Sequence, residues 1–557
     1  MAKYSLGLDF GTESARALLV EVETGREVAT AVSRYKHGVI AQILPTSGQK
    51  LPGDWALQHP GDYLTSLRSI VRRVLKDSGA SPDEIVGVGV DFTSATIIPV
   101  DPKGKPLCLK DEFANEPHAW VKLWKHHGAQ RQADRMNEVA TARGEAFLQR
   151  CGGRISSEYL FPKIWETLEN APAVYDAAWT FVEGGDWLVW QLTGQLLRNA
   201  CAAGYKALWS KADGFPSSDF FRALDPRLEN VVSEKIHGPV VPAGRNAGGL
   251  TSKMAEKIGL RPGTPVSVGG IDAHVAVPGT SVVRPGTMCI VMGTSFCHMI
   301  VHPEFHPVPG ICGIVEDGII PGYFGYEAGQ AGGGDVYAWF VQNGVPAAYA
   351  GEARKRKMDI HALLEEKAQA LGPGGSGLMA LEWLNGNRSV LNNADLSGAI
   401  VGLSLGTKPE EIYRALIEAT AFGTRTIIEN FEAHGIGVEK VCACGGLPEK
   451  NRLVMQIFAN ATGREFGVAA SQQATALGAA MFGAVAAGSA NGGYDSITDA
   501  ADRMARMKDE TFTPNPSAKR AYDDLYVEYA KLHDYFGRGV NDVMANLKRM
   551  KGQAGAP

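Results

Sequence analysis

The sequence is poor in cysteine, with eight in 557 residues, too few to staple a chain of this length. They are scattered, and Cys442-Ala443-Cys444 has no second C-x-C or C-x-x-C to complete a metal or redox motif. Buried, reduced thiols are expected. No run reaches the roughly 18 apolar residues of a membrane-crossing helix. The longest small-apolar stretch, Leu477 to Ala487, reads as a buried helix. Asp9 and Glu13 interrupt the first apolar stretch, which removes the basic-then-apolar pattern of a secretory leader and makes the cytoplasm the expected location. Positive charge is not in excess: the formal net charge of −5 offers nothing to nucleic acid or a membrane surface and leaves small anions to local donors. A Walker A loop, a protein-kinase catalytic loop and a G-x-G-x-x-G turn with a later acid are all missing, which excludes the commonest routes to a nucleotide.

What is present is an ordinary globular composition, 45% hydrophobic and 21% charged, on a chain long enough for two large domains. Near its start, Leu6-Gly7-Leu8-Asp9-Phe10-Gly11-Thr12-Glu13-Ser14-Ala15-Arg16 runs from apolar residues into an acid, a glycine and polar side chains. It reads as a strand, a tight turn and a return through Ala17-Leu18-Leu19-Val20. Gly11 permits close approach of a ligand, and the amides of Thr12 to Ser14 can face phosphate oxygens. A carboxylate at Asp9 beside an anion cradle calls for a cation, and Mg²⁺ held partly through water fits; a plain hairpin with a polar turn is the alternative. Arg284-Pro285-Gly286-Thr287-Met288-Cys289-Ile290-Val291-Met292-Gly293-Thr294-Ser295 repeats the strand-to-Gly-Thr pattern. Two such turns suggest two similar lobes facing each other across a nucleotide.

Between and beyond them, Ile85 to Thr93 reads as a second strand ending in polar residues, with Ser94 and Thr96 placed to touch a polyol or simply to satisfy a turn. Asp111 to Glu138 looks helical, with His118, His126 and His127 as surface or packing residues rather than ligands. Helices are expected around Ser156 to Trp165 and from Glu183 to a stop at Gly194. Lys206 lies between Tyr205 and Trp209 in a Gly-led segment, either exposed or holding a fixed ammonium. Pro265 to His274 is strand-like and opens through a glycine pair onto Asp272. An aspartate can accept a hydroxyl proton in phosphoryl transfer without a raised pKa, and a hairpin would put it on the cleft of the second turn. His274 is a rival base. Glu327 is expected in a glycine-rich loop that enters a helix at Val336, Leu371 to Gly377 is a surface turn, and Glu410 to His434 is a helix. Val441 to Arg452 reads as strand, glycine pair and helix start, where Gly445 and Gly446 leave room for a base or ribose and Asn451 can hydrogen-bond it. From Ser517 the apolar spacing gives an amphipathic helical tail.

Asp9-Phe10-Gly11-Thr12, Gly293-Thr294-Ser295 and Gly445-Gly446 followed by Asn451, in this order and spacing, resemble the FGGY carbohydrate kinases over nearly the whole chain. Ser156-Ser157-Glu158-Tyr159 with Pro162-Lys163, Gly204 to Trp209, Gly270 to His274 and Glu327 to Asp335 resemble the branch of that family that phosphorylates ribulose. The resemblance implies an α/β protein with two similar lobes of the actin-like, ribonuclease H-like fold around a central cleft, divided as 1–278 and 282–557 with a hinge between Pro278 and Val282. It implies ATP and Mg²⁺. Asp9 would hold the metal shell; Gly11, Thr12, Ser14 and Arg16 would bind phosphates from one lobe and Gly293 and Thr294 from the other. Gly445, Gly446 and Asn451 would seat adenosine. Ser94, Lys206 and Glu327 would hold a ketopentose, ribulose, and Asp272 would take the proton from its terminal hydroxyl. A homodimer is compatible with this reading. Another ketose or polyol as substrate, or a non-enzymatic sugar or nucleotide sensor on the same fold, are the alternatives.

Overall fold

The computed structural model describes residues 2–554. Tyr4–Phe10 (β1) and Ser14–Glu21 (β2) form the expected hairpin with Asp9 opposite Arg16, and Glu27–Arg34 (β3) extends it. After the helix Pro60–Ser78 (α1), Ile85–Phe92 (β4) runs parallel to β1 on its other flank. Asn246–Gly249 (β5), Pro265–Ser267 (β6) and Gly270–Ile271 (β7) complete a sheet of order β5-β6-β4-β1-β2-β3, with β7 against the end of β4.

The second sheet is built from Gly286–Met292 (β8), Phe296–His302 (β9), Gly313–Glu316 (β10), Phe324–Gln330 (β11), Val438–Cys444 (β12), Glu465–Ala469 (β13) and Met507–Phe512 (β14), in the order β10-β11-β9-β8-β12-β13-β14. Both sheets follow one plan. An antiparallel meander supplies three strands, and its first strand carries two parallel strands on the opposite flank: β4 and β6 beside β1, β12 and β13 beside β8. The turns Gly11–Ser14 and Gly293–Ser295 occupy equivalent positions, each closed by the glycine amide donating to a serine carbonyl, at 3.0 and 3.1 Å.

The elements that carry the cleft are the helices Leu160–Asn170 (α2), Ala200–Ala207 (α3), Asp272–Gly279 (α4), Gly334–Gly344 (α5), Pro409–Ala433 (α6), Arg452–Thr462 (α7) and Ala474–Ala487 (α8). Helix α8 joins the halves. Although it follows β13, it lies on the first sheet, where Gly7, Gly87 and Gly89 form a strip without side chains. A Cβ on Gly89 would stand 1.7 Å from the carbonyl oxygen of Ala479, and one on Gly7 1.9 Å from that of Ala476. Helices α4 and α8 touch with equal closeness, a Cβ on Gly478 falling 1.8 Å from the Val275 carbonyl oxygen. A mixed core forms there around Ile271, Val275, Cys289, Cys442 and Leu477.

Several expectations require correction. Asp111 to Glu138 is α-helical only from Gln130; before that, Pro117–Ala119 makes a single 3-10 turn and Val121–Lys122 a short strand, with Trp120 between them buried as an anchor. Asp272 begins a helix, not a hairpin. Glu327 lies in β11, a buried strand whose glycines at 325 and 329 alternate with tightly packed side chains, rather than in a loop. The cysteines are free, as expected, and Leu477 to Ala487 is buried helix. Among the described residues no helix is long and apolar enough to cross a membrane.

Candidate active site

In β1 and β4, Asp9 pairs in register with Asp91, so the two carboxyls share a face, while Phe10 and Phe92 stack on the other at 5.4 Å. That shared face is the glycine strip, and β7 delivers Asp272 to its end, as the first residue of α4. Three carboxyls therefore meet where strands give way to turns. Burial raises Asp9, and Arg16, 3.0 Å away, pulls it back. Burial and the charges of Asp9 and Asp272 push Asp91 well above the usual carboxylate range. Burial and Asp9 bring Asp272 to about 6. Both carboxyl oxygens of Asp91 are buried without a hydrogen-bond partner. An all-oxygen set of crowded, under-satisfied carboxyls suits Mg²⁺, a hard cation that keeps part of its water shell.

The residues of the two Gly-Thr turns are held in different ways. Arg16 is engaged by Asp9 across the hairpin, and the Gly11 amide closes its own turn. The Thr12 carbonyl accepts from Gln58 Nε2 at 2.6 Å and its hydroxyl from Trp124 Nε1 at 3.1 Å, which fixes the loop. Ser14 is half-buried at the start of β2. In the second lobe, Gly293 and Thr294 are exposed, and their carbonyls accept from the backbone of Gly333 to Asp335, which braces the turn against α5.

Two cavities adjoin here. The first, about 610 Å³, has Trp124, Glu158, Tyr159 and Lys206 on one wall and Thr294 and Arg388 on the other. The second, about 620 Å³, is lined by Gly293, Thr294, Tyr337, Gly446, Lys450 and Asn451. Thr294 and Asp335 belong to both. Gly445 has φ +101°, and a Cβ there would come within 2.6 Å of the Met292 carbonyl oxygen, so only glycine lets β12 leave beside the second turn. Asn451 Oδ1 caps α7 by accepting from the Val454 amide at 2.8 Å; its amide group remains for the cavity.

At the junction of the lobes, Lys206 on α3, His274 on α4 and Glu327 on β11 are 3%, 2% and 4% exposed. Lys206 Nζ and His274 Nε2 stand 3.9 and 3.4 Å from Glu327 Oε2, ion-pair distances without hydrogen-bond alignment. Burial opposes the charge on each. The cations nevertheless hold Glu327 far below its usual range, and for His274 the neighbouring Cys201 and Glu327 raise it to about 10. His274 thus stays protonated and is no free base. The aromatic-flanked lysine is buried, not exposed. Ser94 is half-buried and its hydroxyl has no partner among the described residues, whereas Thr96 is fully buried against Thr93 and cannot reach a polyol.

Asp91, Glu158, Asp335 and Arg388 were not singled out as site residues from the sequence. Asp91 had a signal: Val88-Gly89-Val90-Asp91 repeats Leu6-Gly7-Leu8-Asp9. Arg388 had none. A separate group of metal-ligand types, His37, His59 and Asp62, lies beside α1, but His59 Nδ1 accepts from Gly61 and both the amide and ring of His37 bond Asp62. Both Nδ1 atoms and the Asp62 carboxylate are thus already hydrogen-bonded within the protein.

The chain matches the N-terminal domain of the FGGY family of carbohydrate kinases over residues 4–279 and the C-terminal domain over 288–487. Proteins named Ribulokinase from Geobacillus thermodenitrificans and Halalkalibacterium halodurans are each 56% identical, over 100% and 99% of this chain and 98% of their own lengths. One from Mycolicibacterium smegmatis is 46% identical over 99% of this chain and 97% of its own. Among solved structures, a xylulose kinase from Rhodospirillum rubrum superposes with a TM-score of 0.78 at 23% identity, covering 95% of this chain and 98% of that one. A Plasmodium falciparum glycerol kinase with ADP gives 0.74 at 17%, covering 96% and 99%.

Proposed function

Because the chain belongs to the FGGY family of carbohydrate kinases, we propose that it transfers the γ-phosphoryl group of ATP to the terminal hydroxyl of L-ribulose, giving L-ribulose 5-phosphate for L-arabinose catabolism in the cytoplasm. That it is a sugar kinase with the two-lobed actin-like ATPase fold follows from the family and the superpositions. The choice of ribulose is supported by the full-length relatives of that name. The observation that carries the reaction is the pair of cavities sharing Thr294 and Asp335, one walled by Glu158, Lys206 and Arg388 and the other by glycine backbone and Asn451.

In this reading the second cavity takes adenosine against Gly445, Gly446 and Asn451, and the turns at Gly11–Ser14 and Gly293–Thr294 take the phosphates. Asp9, with Asp91 beside it, would hold Mg²⁺, which when bound neutralises phosphate charge and orients it for in-line transfer. Asp272 accepts the proton of the attacking hydroxyl. Its burial, by raising the carboxyl to about 6, strengthens it as a base while leaving it ionised at neutral pH. Lys206, Glu327 and Ser94 hold the sugar. Closure of the lobes about a hinge between Pro278 and Val282, where α4 gives way to β8, would exclude water from the transfer.

The test is ADP release from ATP and Mg²⁺ with L-ribulose, D-ribulose, L-xylulose, D-xylulose, ribitol and glycerol, on the wild type and Asp272→Asn. The ribuloses are expected to give the highest kcat/KM. The variant should lose roughly 10²–10⁴-fold in kcat at nearly unchanged KM for ATP. Equal slow ADP release with every sugar and with none would overturn the reading.

A further inference from the structure

The first cavity contains charged groups that the proposed reaction has not used. Arg388 projects from the segment 385–394 of the second lobe, and its Nη2 lies 4.0 Å from Glu158 Oε2 of the first, across the cavity that both line. Among the described residues the Arg388 guanidinium donates no hydrogen bond, and the Glu158 carboxylate accepts none. Both are half-buried, with side chains 31% and 15% exposed, and open onto the cavity. Their charged ends are thus hydrogen-bonded to no described residue and are free to bind a ligand's polar group.

The segment is built to hold Arg388 still. Asn387 and Asn393 exchange backbone hydrogen bonds at 2.9 and 2.8 Å, the Leu391 amide donates to Asn387 Oδ1 at 3.0 Å, and the Gly329 amide donates to Ser389 Oγ at 3.2 Å. The arginine stem crosses β11 at Gly329, where a Cβ would approach its Cδ to 3.2 Å. Gly329 is two residues from Glu327, so Arg388 and the Lys206–Glu327 pair stand along one strand. A flexible surface arginine would need none of this support.

We propose that Arg388 is a specificity-determining sugar contact that, with Glu158 on the facing lobe, grips one hydroxyl of the open-chain ketopentose from both sides. A sugar hydroxyl can accept from a guanidinium and donate to a carboxylate at once. The grip spans the lobes, so it forms fully only when they close on a sugar long enough to reach it, which ties closure to the correct acceptor. This inference rests on the sugar-kinase reading above.

The experiment measures KM for L-ribulose and for ATP, kcat and Tm in wild type, Arg388→Ala, Arg388→Gln, Glu158→Gln and the Arg388→Gln/Glu158→Gln double variant. Loss of a charge-assisted hydrogen bond is expected to raise KM for the sugar roughly ten- to hundredfold in either arginine variant. KM for ATP should stay within about twofold, with Tm held. Because both groups serve one hydroxyl, the double variant should be little worse than the worse single. Sugar KM within twofold of wild type in the arginine variants, or fully multiplicative losses, would overturn the assignment. So would a fall in Tm that tracks the change in KM, since that marks a structural role. A wild type that turns over ribulose while the variants keep its KM overturns only this assignment; a wild type that phosphorylates no sugar overturns the kinase reading with it.

Discussion

Replacing Glu327 by glutamine keeps its shape and removes one charge from a nearly dry junction. At an effective dielectric of about 20, separations of 3.4 and 3.9 Å each correspond to about 4–5 kcal/mol of gross attraction. Much of that offsets desolvation in the native protein, but the variant would leave two buried cations with no counter-charge, and breaking such a pair costs about 3–5 kcal/mol. Glu327→Gln is therefore expected to unfold about 5–10 °C below wild type at pH 7. His274, raised in the folded state, contributes stability that is complete below its unfolded pKa of about 6.5 and is lost as pH rises through about 10. Glu327, lowered in the folded state, contributes above its unfolded value of about 4.5 and loses that contribution as pH falls through its depressed value. The gap between wild type and variant should accordingly be widest from about pH 5 to 6.5 and narrow as pH rises toward 10, leaving the share due to Lys206, which Glu327 holds protonated. Thermal and urea unfolding across that range is the assay. A difference below about 1 kcal/mol at pH 7 would refute the claim that these charges are desolvated and mutually compensated.

Three further outcomes are expected elsewhere in the molecule. Asp272 must be ionised to accept a proton, so kcat/KM should rise with pH to a plateau with its midpoint near 6, and this limb should vanish from the residual activity of Asp272→Asn. Gly89→Ala puts a methyl group 1.7 Å from the Ala479 carbonyl oxygen; with no side chain to yield, it should cost at least about 3 kcal/mol. Gly53→Ala, with nothing within 4 Å, should leave unfolding unchanged.

Local pattern was enough to locate much of the molecule. The β1 hairpin and its echo at β8 were readable because each joins a run of apolar residues to Gly-Thr, and the buried helix α8 because it is almost wholly small and apolar. Where the reading slipped, long-range packing had overruled composition. Glycines near Glu327 suggested a loop, but they make room for Tyr205, Ile319 and Arg388 against a strand. Asp272 follows a glycine pair as expected, yet its continuation is a helix because α8 offers a backbone surface to lie on.

The amino-acid sequence by itself determined which acids, glycines and hydroxyls exist to do chemistry and that they are arranged in two similar halves, since short-range periodicity and turn residues act within a few positions of the chain. Tertiary structure alone decided that Asp9, Asp91 and Asp272 share one end of a sheet, that Lys206 and His274 are buried against Glu327, and that Arg388 faces Glu158. These partners are far apart along the chain, and their meeting depends on strand register and on the glycine strip that lets α8 bind the two halves together.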